Sequence, residues 1–341
     1  MTAPRRFERS DARPELLSGR RVAVLGYGNQ GHAHALNLRD SGVDVVVGAR
    51  PGGTGAADAT REGFEVLAPA EASAVADVIM LLVPDEAQAR VFTEDVAPHW
   101  KDDAVVAFGH GYALAFERVV LPEGRRAFLV APKGQGHALR TAYRNGGGLP
   151  SLIGVAGPDP DDTLALALAY ADACGALAGG GFLSSFREEA VSDQFGEQAV
   201  LCGGLVELIV AAWETLVDRG HSPETAYFEC VHEVKIIVDL LYAHGIEGMR
   251  EKISTTAAYG GLRAGRRVIG DASRQAMQDL LDDIESGRFA RAFEDDQRDG
   301  GAALRGAIDR EATHPIVGTG QALRGFLQRC RLDSSSEPES D

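Results

Sequence analysis

The chain has 341 residues, with 50 acidic against 34 basic side chains, a formal charge of −16. Nucleic acids and anionic membrane surfaces are both bound by clustered cations, so this balance argues against either as a partner. At about 150 residues per domain the length suggests two domains, and an apolar fraction of 45% with 41 glycines suits a globular α/β protein rather than a disordered one.

The opening stretch mixes Arg5, Arg6, Arg9 and Arg13 with Glu8, Asp11 and Glu15 around no apolar core, so neither a secretory signal nor a transit peptide is expected. Short β-branched, apolar runs follow at 21–25, 43–48, 77–83, 104–108 and 127–131, with a sixth at 151–157. Runs that do not alternate suit strands covered on both faces, as in a parallel sheet. Helical stretches lie between them, as at 32–41 and 86–96, and this alternation predicts an α/β, Rossmann-type doubly wound sheet over residues 1–182.

Beyond the glycines at 179–181 long helices dominate. One is expected over 192–219 with Ser192 as its N-cap, one over 223–243 with Pro223 near its start, and two more over 274–287 and 289–299. These define an all-α domain over 183–330, followed by a disordered acidic tail at 331–341. The most apolar stretch, 199–217, contains Gly203, Gly204, Glu207 and Glu214. A carboxylate at mid-bilayer is costly, so this stretch reads as a buried core helix rather than a membrane span. Cys174, Cys202, Cys230 and Cys330 lack metal-type spacing and read as the reduced thiols of a cytoplasmic protein.

Gly26-Tyr27-Gly28-Asn29-Gln30-Gly31 fits G-x-G-x-x-G between the first strand and the first helix. Gly26 permits a tight turn, Gly28 lets a pyrophosphate approach the backbone, and Gly31 lets helix and strand pack closely. The N–H groups that open the helix then face the phosphates. Nineteen residues after Gly31, where NAD enzymes carry a carboxylate, stands Arg50, with Thr54 the one hydroxyl nearby. An arginine suits a 2′-phosphate, which favours NADP. A solvated surface arginine is the bland alternative, and NAD stays open.

Two carboxylate pairs are spaced i, i+4: Asp193 with Glu197, and Glu229 with Glu233. Phe228, Val231, Val234, Ile237, Val238 and Leu241 surround the second pair, which predicts a core-directed face. Carboxylates on such a face are paired, protonated or bound to metal, and four oxygen ligands suit Mg²⁺. The alternative is two wet helix faces with Lys235 and Arg219 as salt-bridge partners. His110 and Lys133 follow the strands at 104–108 and 127–131, at the strand ends where such sheets bind ligands. Each could equally be an ordinary surface residue.

The same positions lie in GYGNQGHAHALNLRDSG, APKGQGH, DQFGEQAVLCGG and AYFECVHEVKIIVDL, with HPI-x-x-x-G-x-x-LR at 314–324. Through these segments, over residues 7–326, the chain resembles the ketol-acid reductoisomerase family in its short form with one helical domain. The resemblance implies a knotted helical domain, two protomers that build each active site together, two Mg²⁺ ions and NADPH. It implies that Asp193 bridges the ions, that Glu197 completes one site, and that Glu229 and Glu233 serve the other. His110, Lys133 and Glu233 are implied to act in catalysis, and Ser254 to touch substrate. Tyr27 to Gln30, Arg50, Asp85, Glu86, Ala87, Gln88 and Gly136 are implied nucleotide contacts.

The implied reaction is alkyl migration in 2-acetolactate or 2-aceto-2-hydroxybutyrate, then reduction to a 2,3-dihydroxy-3-alkyl acid on the route to valine, isoleucine and leucine. Divalent ions suit the migration because they stabilise both oxygens together.

Several positions depart from the family pattern. Gly53 and Gly55 stand where two serines are usual, Ala115 replaces a histidine, and Gln135 replaces a proline. Thr255, Ala258 and Gly261 replace Asn, Glu and Asp in the segment near the substrate. A divergent copy acting on a related acetohydroxy acid, a plain NADP-dependent reductase and a non-catalytic dinucleotide sensor are the alternatives.

Overall fold

The computed structural model describes residues 3–334, the last eight as backbone only. Among them nine strands form one sheet: β1 (Arg6–Phe7), β2 (Arg21–Leu25), β3 (Asp44–Gly48), β4 (Glu65–Leu67), β5 (Val78–Leu81), β6 (Val105–Phe108), β7 (Ala127–Pro132), β8 (Ser151–Ala156) and β9 (Gly181–Leu183). Their spatial order is β1-β9-β8-β7-β6-β5-β2-β3-β4. Seven helices accompany them: α1 (Asn29–Asp40), α2 (Thr54–Arg61), α3 (Pro69–Val75), α4 (Asp85–Val91), α5 (Tyr112–Ala115), α6 (Gly136–Arg144) and α7 (Pro160–Ala173).

Alternate residues of each strand feed opposite faces. Val22 and Val24 enter the core layer that includes Leu38 and Tyr170, whereas Ala23 and Leu25 enter the one that includes Phe92 and Trp100. Burying each large apolar side chain in this way contributes about 2 kcal/mol. With β3 on one side of β2 and β5 on the other, the chain reverses its direction of travel across the sheet there. That reversal opens a crevice at the carboxyl ends of the strands.

All six expected strands are present, but the sheet is not wholly parallel. β8 runs antiparallel to β7, with Pro132 opposite Ser151. The reason is the path between them: α6 packs against α1 instead of crossing the length of the sheet, so the chain re-enters at the end it left. β1 also pairs antiparallel, with β9.

The chain divides into two compact units, 1–193 and 194–341. The division falls inside α8 (Phe186–Gly196), whose first turns are anchored in the sheet-bearing unit. α8 starts earlier than the sequence predicts. Its cap is Ser185, whose Oγ accepts from Glu188 N at 3.0 Å, while Ser192 lies mid-helix and donates to Glu189 O.

A π-helical turn, Glu197–Leu201, leads into α9 (Gly204–Asp218), and Ser222 caps α10 (Pro223–Tyr227) by accepting from Thr225 N at 3.2 Å. A second π turn, Phe228–His232, joins α10 to α11 (Glu233–Lys252), whose helical backbone is interrupted at Gly245 with φ +69°. Then come α12 (Thr255–Val268), α13 (Asp271–Glu285), α14 (Arg288–Arg298), α15 (Ala302–Ala312) and α16 (Pro315–Ser334). The expected tail at 331–341 overlaps the end of α16 and otherwise lies outside the described residues.

The stretch at 199–217 is not a buried core helix. Within it only Ala199 and Trp213 are buried, and Val200, Leu201 and Leu208 are exposed. The helical run Phe186–Asp218 is long and apolar enough to cross a membrane by length and composition, but Glu207 and Glu214 stand in it. Ile236, Val238, Tyr242 and Ile246 on α11 and Tyr259 and Leu262 on α12 are exposed as well. The helical unit of a single chain therefore leaves long apolar faces uncovered.

Candidate active site

Four side chains converge at the carboxyl ends of β6 and β7. His110 follows β6, Lys133 follows β7, and Glu189 and Asp193 lie one turn apart on α8. Lys133 Nζ donates to Glu189 Oε1 at 2.6 Å and to Asp193 Oδ1 at 2.9 Å. The other Glu189 oxygen accepts from Gly111 N at 2.6 Å, and the other Asp193 oxygen meets His110 Nε2 at 3.0 Å. Gly111 has no room for a side chain: a Cβ there would lie 2.2 Å from Phe186 O. Its bare backbone is what lets α8 come this close.

His110 Nδ1 accepts from Tyr112 N at 3.2 Å, so the ring's proton sits on Nε2 and points at Asp193. Burial works against a charged imidazole, but the bond to Asp193 and the charges of Glu189, Asp85 and Asp193 outweigh it, and the His110 pKa is raised. Burial likewise opposes the Lys133 charge, and Glu189 and Asp193 reverse the balance, so its pKa also rises. Burial would raise the pKa of Asp193, yet His110 and Lys133 bring it down to about 2. The cluster is thus an ionised carboxylate and an ammonium held in fixed contact.

The nucleotide elements border the same strand ends. Gly26 takes φ +97°, and α1 opens at Asn29 with His32 N bonded to Gly28 O. The Tyr27 ring packs edge-on against His32 and Phe64, and burial pushes its pKa up to about 12. Arg50 follows β3 and is exposed, and Thr54 opens α2. Asp85 through Gln88 form the first turn of α4, where Gln88 Nε2 donates to Asp85 Oδ1 at 2.8 Å. Burial raises the Asp85 pKa, with Glu86, Asp193 and Glu189 adding to it against His110. Asp85 therefore feels the cluster as well as bordering the nucleotide crevice.

Of the four acids singled out by spacing, Asp193 alone enters this cluster. Glu197 opens the π turn of the second unit and is exposed. Glu229 lies within the other π turn and Glu233 directly after it, and both are exposed, so among the described residues neither sits on the core-directed face predicted for them. A π turn also widens the i, i+4 spacing on which that pairing rested. Lys235, the salt-bridge partner of the bland alternative, is bonded instead to Asp239 at 2.5 Å. Ser254 caps α12, its Oγ accepting from Ala257 N at 3.1 Å.

Glu189 is the member of this cluster that sequence reasoning missed. His110, Glu189 and Asp193 place ligand atoms within 4.8 Å of one another. The signal was there: Glu189 and Asp193 have the same i, i+4 spacing as the other pairs, but a helix begun at Ser192 leaves Glu189 outside. The donors that these residues offer are mostly carboxylate oxygens, and Asp193 is held ionised, which fits a hard divalent cation such as Mg²⁺.

Comparison with known proteins places these features. A family model for the acetohydroxy acid isomeroreductase NADPH-binding domain matches residues 16–180, and one for the ketol-acid reductoisomerase C-terminal domain matches 186–329. Among solved structures, an NADH-preferring ketol-acid reductoisomerase from an uncultured archean is 37% identical, with a TM-score of 0.90 over 94% of this chain and 98% of that one. The fold extends further. A semialdehyde dehydrogenase NAD-binding protein from Cupriavidus necator is 19% identical, with a TM-score of 0.59 over 78% of this chain and 99% of its own. A 1-pyrroline-5-carboxylate reductase from Streptococcus pyogenes is 12% identical, with a TM-score of 0.51 over 78% and 98%.

Proposed function

Because the chain belongs to the ketol-acid reductoisomerase family of oxidoreductases, we propose that it rearranges 2-acetolactate or 2-aceto-2-hydroxybutyrate and reduces the product to the 2,3-dihydroxy-3-alkyl acid in branched-chain amino-acid synthesis. The observation that carries this reading is the meeting of Lys133, His110, Glu189 and Asp193 beside the nucleotide crevice.

Asp193 and Glu197, with Glu229 and Glu233, would hold two Mg²⁺ ions through carboxylate oxygens. Such ions supply Lewis-acid polarisation of the hydroxyl and keto oxygens, and NADPH supplies the hydride. The protein's own groups do the rest. Lys133 is kept charged by its two carboxylates and stands ready to donate to an oxygen that gains negative charge. His110 orients Asp193 through Nε2–H. The N–H groups that open α1 would hold the pyrophosphate, and Arg50 would take the 2′-phosphate, since the loop at 48–55 carries no carboxylate to hold a free ribose hydroxyl.

The working unit is a homodimer or a larger homo-oligomer. The exposed apolar faces of α9, α11 and α12 support this, because a second copy would cover them. A cytoplasmic location fits the free cysteines Cys174, Cys202 and Cys230.

Consumption of NADPH and NADH with 2-acetolactate, with and without Mg²⁺, tests the reading. Turnover that needs Mg²⁺ and favours NADPH is expected. A protein that reduces only the already rearranged 3-hydroxy-2-keto acid is a plain reductase, and one that turns over neither is a sensor.

One observation favours a second reading, a related acetohydroxy acid as substrate. At Gly261, where the family usually has Asp, the Arg250 guanidinium fills the space, with Nη1 2.8 Å from where a Cβ would be. Its Nε is enclosed without a hydrogen-bond partner. Turnover of 2-acetolactate much slower than that of a homologue with a longer 2-substituent would favour this reading.

A further inference from the structure

The nucleotide-binding turn and the loop that carries Lys133 come from β2 and β7, which β5 and β6 separate in the sheet. They nevertheless touch. Gln30 Nε2 donates to Gly134 O at 2.9 Å, across more than a hundred residues of chain. A Cβ on Gly136 would lie 2.0 Å from Asn29 O, so the backbone of this loop is seated on the first turn of α1.

The orientation of the Gln30 amide is forced, because Gly134 O can only accept and the nitrogen must face it. Its Oε1 is then enclosed and has no partner among the described residues. That atom is an acceptor, and phosphate oxygens are acceptors too, so the free end of the side chain does not suit them. The backbone N–H of Gln30, in the first turn of α1, is the part of the residue placed to meet a nucleotide; the side chain faces Gly134 instead.

The loop needs such a hold. Lys133 N is tied to Pro150 O at 2.8 Å and Gly134 N to Pro132 O at 3.1 Å. From there the chain runs Gly134-Gln135-Gly136, and glycines on both sides leave the backbone many alternatives. Yet Lys133 Nζ must reach two separate carboxylates on α8. The bond from Gln30 fixes the carbonyl that directly follows the lysine.

We infer that the Gln30 side chain is a positioning residue for Lys133: it braces the lysine-bearing loop against the nucleotide-binding turn rather than serving as a nucleotide ligand. The part of this inference that concerns turnover rests on the proposed reaction. A displacement of about 1 Å at a catalytic group costs up to about 100-fold in rate, and one lost hydrogen bond accounts for roughly 10-fold.

The test compares Gln30→Met and Gln30→Glu with the intact protein in three measurements. NADPH affinity, read by fluorescence titration, should change by less than about 3-fold, while kcat for 2-acetolactate with Mg²⁺ falls about 10-fold in Gln30→Met. Gln30→Glu should be worse, because it sets an oxygen against Gly134 O. Amide hydrogen exchange over residues 133–136 should speed up in both variants. A rise in the NADPH dissociation constant or KM with kcat intact would make Gln30 a nucleotide ligand and overturn the inference. Unchanged exchange over 133–136 overturns it as well. Absence of turnover in the intact protein would instead defeat the proposed reaction, and the exchange measurement would still decide the brace.

Discussion

Replacing Glu189 by Gln tests the core of the site most directly. The Glu189 carboxylate is 1% exposed and uses both oxygens, one for Lys133 Nζ and one for Gly111 N. An amide has one acceptor and one donor end. In Glu189→Gln either Lys133 or Gly111 N–H must therefore face an NH₂ group, and one bond is lost. A buried bond to a charged group is worth about 1.5–3 kcal/mol. Lys133 is a third exposed and keeps Asp193, which moderates the loss. The expected destabilisation is thus about 2 kcal/mol. For a unit the size of residues 1–193 this corresponds to a fall of roughly 4–8 °C in Tm. Thermal unfolding followed by circular dichroism, with chelator present so that no metal contributes, measures it. A Tm within about 1 °C of the intact protein would mean that the Lys133–Glu189–Gly111 arrangement contributes nothing to stability, and the reasoning from these distances would fail.

Asp193 gives a pH dependence whose sign is fixed. Its pKa in the folded protein is about 2 against an ordinary 3.8, so its stabilisation is full above 3.8 and is lost as pH falls toward 2. The loss amounts to about 2 kcal/mol, and an acid titration of the metal-free protein should show it, with a flatter profile in Asp193→Asn. The same substitution should abolish any Mg²⁺-dependent rise in Tm, and an unchanged rise would remove Asp193 from the metal set. Arg50→Ala should raise KM for NADPH roughly 10- to 100-fold and leave NADH nearly unaffected; equal effects on both nucleotides would place Arg50 away from the 2′-phosphate. Sedimentation at micromolar concentration should give a dimer or larger, and a monomer would leave the exposed faces of α9 and α11 without an explanation.

The parallel heart of the sheet was legible because β2, β3, β5, β6 and β7 are apolar on both faces, and two-sided burial leaves a run without alternation. β1, β4 and β9 have only two or three residues each, too few for any pattern. The direction of β8 was hidden for another reason. Burial in a strand looks the same whichever way the chain runs, and the direction follows from where α6 finds its packing partner.

The site was legible where a residue follows a strand, as His110 and Lys133 do, because the end of a strand is fixed by the run before it. It was obscured on α8, where two serines compete as cap. Ser192 stands just before the DQFGEQ segment, but Ser185 accepts the capping bond, and the six residues between them carry Glu189.

Glu229 and Glu233 illustrate a different limit. The apolar residues around them record that this surface was built to meet something, but not whether that something belongs to the same chain. Ile236 and Val238 are about half exposed, at 51% and 47%. An amphipathic pattern reports burial in the working assembly. The exposure of Val238 and its neighbour Ile236 on α11 is therefore one observation in favour of the proposed second copy.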